Sequence, residues 1–181
     1  VKNKPQEALP ILIENLELCT DNYPLAKVRI MNNIGIIYSD FYEEMDKAME
    51  YYEMVYKIEV DNNIESCGVL GLVNIGFVQY SLDEYEEAYN TFMKAIENLR
   101  KKELKEIEEA KELKEAEKQK RFEHYCYMYL GSISYKFGKY SEAYRYYSLV
   151  KNYADGPDVD NRDKGQFYIL AYNLHCLCGE K

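Results

Sequence analysis

Two stretches of the chain repeat one spacing of glycine, alanine and aromatic residues, and this repeat restricts the fold more than any other feature. One runs Leu72-x-x-Ile75-Gly76 and continues with Tyr85, Ala88, Phe92 and Ala95. The other runs Tyr127-x-x-Leu130-Gly131 and continues with Gly138, Tyr140, Ala143, Tyr147 and Val150, with the same offsets from glycine to alanine and to the following aromatic. A further copy, the first of the three in chain order, reads Met31-x-x-Ile34-Gly35-x-x-Tyr38 followed by Ala48 and Tyr52 and carries one extra residue in its turn. Half-copies flank these three. Ala8-x-x-x-Leu12 stands 27 residues before Gly35, where 28 separate Ala48 from Gly76. Phe167-x-x-Leu170-Ala171-x-x-Leu174 places Ala171 28 residues after Ala143.

Gly35, Gly76 and Gly131 fall inside helical runs, where glycine costs about 1 kcal/mol against alanine, so close packing has to compensate. Ala48, Ala88 and Ala143 lie on the partner helices, and small residues there allow two antiparallel helices to approach to roughly 8 Å. Tyr52, Phe92 and Tyr147 follow four residues later on the same face and are expected to fill the remaining space. Each pair is an αα-hairpin that cannot bury its apolar faces alone. Stacking buries them, so the expected fold is all-α, a solenoid of antiparallel helix hairpins with one concave surface lined by the first helix of each unit.

The pattern resembles the tetratricopeptide repeat, matched residue by residue in the second and third copies in chain order, and the resemblance covers nearly the whole chain. It departs from that family in three respects. Gln79 and Ser134 stand where tyrosine is preferred, the closing proline is missing, and the period is longer than usual, similar to the units of kinesin light chains and of peptide-pheromone receptor regulators. The resemblance implies a right-handed superhelix and a groove that takes a peptide or protein segment.

The expected division is a partial unit over 5–22, units over 25–61 and 66–98, a charged helical insertion over 99–123, a unit over 124–154 and a partial unit over 164–181. The spacing from Ala88 to Gly131 is 43, which is 15 more than the 28 seen elsewhere and places the insertion between two hairpins. Residues 97–123 hold nine acidic and nine basic side chains in 27 positions, many in opposite-charge i,i+4 pairs, as a solvated helix requires. Leu104, Ile107, Ala110, Leu113 and Ala116 advance by three and leave no single seam. A helical hairpin turning near Glu108 to Glu112 is expected, with a continuous helix and a swapped dimer as the alternative. Half-units at both ends suggest a piece of a longer protein, with an upstream DNA-binding domain, further repeats or self-association as the expected neighbours.

Composition excludes several classes. A net charge of −9 disfavours direct binding to nucleic acid and to anionic membranes. No apolar run approaches the ~20 residues of a membrane span and no signal sequence is evident, so a cytoplasmic location is expected. Five cysteines with no C-x-x-C fit reduced buried thiols. His124-x-Cys126 cannot ligate one ion from a helix, because residues two apart point ~200° from each other. Only His175 with Cys178 has a usable spacing, so no metal site is expected. With no nucleophile elbow, Walker loop or H-E-x-x-H in the sequence, no cofactor and no catalytic role are expected either. Paired carboxylates such as Glu43-Glu44 and Glu86-Glu87 fall near turns and read as solvated.

Positions that face the groove in the tetratricopeptide family give Arg29, Asn32, Asn33, Ile36, Ser39 and Asp40 in the first full unit. In the second they give Leu70, Val73, Asn74, Phe77, Tyr80 and Ser81, and in the third Tyr125, Met128, Tyr129, Ser132, Tyr135 and Lys136, with Tyr168, Tyr172 and His175 continuing the row. The candidate ligand-binding set is Arg29, Asn32, Asn33, Asn74, Phe77, Tyr80, Tyr129 and Tyr135. Asn33 and Asn74 hold the same place in successive units, and an asparagine amide can both donate to and accept from an extended backbone. The same amides could equally satisfy a local backbone group or a helix-to-helix contact. A chaperone-tail clamp is disfavoured, because Asn32, Ile36, Tyr125 and Tyr129 stand where such clamps carry their other ligand-gripping residues. A different class of function stays open beside groove binding: a structural adaptor assembling through helix faces and the insertion, including a homodimer through the insertion or the terminal helices.

Overall fold

A computed structural model describes residues 4–64, 68–109, 113–154 and 161–178. Eight helices and no strand occur among them: α1 (Pro5–Leu18), α2 (Pro24–Asp40), α3 (Met45–Asp61), α4 (Val69–Ser81), α5 (Tyr85–Glu109), α6 (Leu113–Lys136), α7 (Tyr140–Ala154) and α8 (Asn161–Cys178). The chain divides into two compact units, Val1–Lys105 and Glu106–Lys181. Pro5 and Pro24 open their helices in the first turn, where the missing N–H has no intrahelical partner to lose. The expected turn between Glu108 and Glu112 falls partly on residues 110–112, which lie outside the described residues.

Four helix ends close with the same device, one residue at positive φ. Asp83 (φ 63°) and Gly138 (φ 70°) end α4 and α6, and Asn63 (φ 47°) ends α3. In each the following N–H reaches back five residues, from Glu84 to Gln79, Lys139 to Ser134 and Ile64 to Glu59, which satisfies a carbonyl that the helix leaves open. At the α2–α3 turn Glu43 (φ 55°) takes that role and Glu44 N–H reaches back six residues to Tyr38, which is how the extra residue of the first copy is absorbed. A left-handed conformation costs an ordinary L-residue ~1–2 kcal/mol, part of which glycine's greater unfolded freedom offsets. Glu43→Gly is therefore expected to stabilise the fold by about 0.5–1 kcal/mol, a rise in Tm of about 1–4 °C for a chain of this size. Thermal denaturation checks it, and an unchanged or lower Tm contradicts the turn assignment.

In the first unit α3 packs between α2 and α4. Val28, Met31 and Val55 form one buried group with Leu16, Ile58 and Leu70 against it, and Ala48, Tyr52 and Val78 form the next with Tyr38, Ile75 and Phe77. Ala48, Ala88 and Ala143 are all fully buried, as their spacing predicts. A Cβ placed on Gly35 would lie 2.4 Å from the Tyr52 ring, and one on Gly76 would lie 2.9 Å from the Phe92 ring. These glycines make room for the aromatic that follows the facing alanine by four residues.

The second unit solves the same problem differently. α8 packs on both α6 and α7, and the atom nearest a Cβ on Gly131 belongs to Leu170 of α8, at 2.7 Å, followed by Tyr146 Cβ at 3.3 Å. Tyr147, expected beside the glycine, instead stacks on Phe167 with ring centroids 5.3 Å apart. Leu170, whose side chain lies over Gly131 from α8, takes the place that Tyr52 and Phe92 fill from the hairpin partner in the other copies.

Gln79 and Ser134, which depart from the repeat pattern, each make a polar contact across their hairpin. Thr91 Oγ1 donates to Gln79 Oε1 at 2.8 Å, and Ser134 Oγ donates to Glu142 at 3.2 Å. Tyr38, at the equivalent place in the first copy, stacks on Tyr51 across α2 and α3 at 5.8 Å.

Candidate functional site

Five of the eight predicted ligand-binding residues can be placed on neighbouring turns of α2 and α4 in the first unit. α2 carries Arg29, Asn32 and Asn33 within one turn, and α4 carries Asn74 and Phe77 within another. Asn74 Nδ2 donates to Asn32 Oδ1 at 2.6 Å in a partly buried contact between residues 42 apart in sequence. Arg29 and Asn33 are exposed. The structure thus joins Asn74 to Asn32 and not to Asn33, its counterpart in the repeat. Successive helical residues are rotated by ~100°, so when Asn32 faces α4 its neighbour Asn33 turns to solvent.

Each carboxamide has two N–H donors and an oxygen with two lone pairs. The Asn74–Asn32 bond uses one donor and one lone pair, and the remaining ones make no hydrogen bond among the described residues. What they offer is a set of donors and acceptors suited to a peptide backbone, with the Arg29 guanidinium one turn earlier on α2. Phe77 is half-buried and its ring packs on the Ala48, Tyr52 and Val78 group. Tyr80, the sixth residue of the set on this unit, is half-buried with its ring edge-on to Tyr85 at 5.5 Å.

Tyr129 and Tyr135 belong to the second unit. Tyr129 is 1% exposed, and its hydroxyl accepts from Tyr125 at 3.4 Å. Tyr135 is half-buried, packs on the Ala143, Leu170 and Leu174 group and lies 5.6 Å from the Tyr140 ring. His175 meets the edge of Tyr147 at 6.4 Å, while the Cys178 side chain that shares its spacing lies outside the described residues. Among the described residues no three His, Cys, Asp or Glu side chains converge as metal ligands. No described helix is long and apolar enough to cross a membrane.

Two clefts lie away from the predicted residues. One, of about 320 Å³, is lined by Glu43, Glu44, Met45, Asp46, Lys47 and Leu82 at the turn end of α2 and α4. The other, of about 380 Å³, is lined by Lys4, Pro5, Glu7, Ala8, Ile11, Ile37 and Phe41 between α1 and α2. None of these lining residues belongs to the predicted ligand-binding set. The Glu43-Glu44 pair was the visible signal for the first, and nothing in the spacing marks the second.

Cys126 on α6 is fully buried, and desolvation of the thiolate, reinforced by the carboxylate of Glu123, pushes its thiol far above the usual range. The sign of the linkage follows. In the unfolded chain the thiol ionises near pH ~8.5, whereas the folded chain keeps its proton well beyond that. Stability from this group is complete below about pH 8.5 and falls above it by up to about 1.4 kcal/mol per pH unit. Urea denaturation from pH 7 to 10 is expected to show that decline in the wild type and a shallower one in Cys126→Ala; equal slopes contradict the burial of the thiol. Cys176, by contrast, is exposed.

No protein-family model matches this chain, and no curated protein shows significant similarity to it.

Proposed function

We propose that the chain is a non-catalytic scaffold of tetratricopeptide-like helix hairpins, stacked as a right-handed solenoid, that binds an extended peptide or protein segment along the surface of its first helices. The observation that carries this reading is the Asn32–Asn74 pair, two amides from successive first helices held side by side with donors and acceptors to spare. Exposed Arg29 and Asn33 extend the polar strip on α2, and Phe77 and Tyr80 offer apolar area further along α4. Support for the stacked arrangement comes from α3 packing on both α2 and α4, and from α8 packing on both α6 and α7, since hairpins of this kind bury their faces on their neighbours. The narrower form of the proposal is the peptide-sensing part of a regulator, placed in the cytoplasm and acting without a cofactor.

Panning a random-peptide display library against the chain tests the proposal, with the Asn32→Ala/Asn74→Ala double variant as the comparison. Two lost bonds of ~0.5–1.5 kcal/mol each predict that selected peptides bind the variant about 5- to 150-fold more weakly. The variant's own stability should fall by no more than about 1–2 kcal/mol, since only one bond within the protein is removed. Selected peptides that bind both proteins equally, or a library that yields none, overturn the proposed site.

A further inference from the structure

We draw no further inference here: the strongest candidate, the exposed Tyr168, Ile169 and Tyr172 face of α8, is an apolar surface for which nothing in the structure shows what covers it.

Discussion

Gly71→Ala is expected to destabilise the first unit by about 1–3 kcal/mol or more, even though alanine is the better helix former. Gly71 sits near the start of α4, against the backbone of α3. A Cβ there would lie 2.6 Å from Tyr56 Cα, Tyr56 N and Tyr56 Cβ. A backbone cannot rotate out of the way as a side chain can, so α3 and α4 have to separate. That separation loosens the packing of Leu70 on the Val28, Met31 and Val55 group and of Val78 in the group with Ala48 and Tyr52. The comparison is Gly165→Ala in α8, where a Cβ meets nothing within 4 Å. There the helix propensity acts alone and the substitution should stabilise by about 0.5–1 kcal/mol. Urea denaturation of both variants decides the matter, because opposite signs are expected and a shared sign removes close approach as the reason for glycine at 71.

Glu59→Ala is the second large effect, expected at about 2–4 kcal/mol. Glu59 is 1% exposed on α3, and its Oε2 accepts from the N–H of Gly71 at 3.0 Å. The first N–H groups of a helix have no intrahelical acceptor, and a carboxylate there also meets the positive end of the helix dipole. Gly68, which precedes α4, has no side chain to cap it, so the acceptor comes from the neighbouring helix. Truncation removes that acceptor, leaves the Gly71 N–H buried without it and opens a cavity. Glu59→Gln keeps the shape and an amide oxygen that can still accept, so its loss should stay near 1 kcal/mol. Equal losses for the two variants would assign the effect to packing alone. Asn74 lies one turn beyond Gly71 on α4, so either disruption of the α3–α4 contact should also disturb the Asn74–Asn32 pair. A peptide selected on the wild type is therefore expected to bind Gly71→Ala more weakly, although that residue contributes no side chain to the proposed site.

Much of the local architecture is legible in the sequence. The offsets around Gly35 and Gly131 predicted neighbouring helices packed on each other, and α2 packs on α3 and α6 on α7. The alanines that those offsets singled out are fully buried, and the extra residue of the first copy reappears as a turn that reaches back one residue further. These features depend on rotation of ~100° per residue and on the φ angles a turn residue can adopt, both properties of a short stretch of chain.

What lay beyond the sequence depended on how one helix sits against another. Repeat symmetry pointed to Asn33 as the counterpart of Asn74, yet Asn74 bonds to Asn32, because the rotation of α4 beside α2 selects the partner. Glu59 carried no mark in the sequence, as one acidic residue among many on an amphipathic helix, and became a helix cap only because Gly71 lets the two backbones touch. The place beside Gly131 went to Leu170, from the next helix in the unit, and not to Tyr147 of its own hairpin. Periodicity determines which stripe of a helix is apolar; the crossing angle and axial offset that decide which residues meet emerge from packing all neighbouring side chains together.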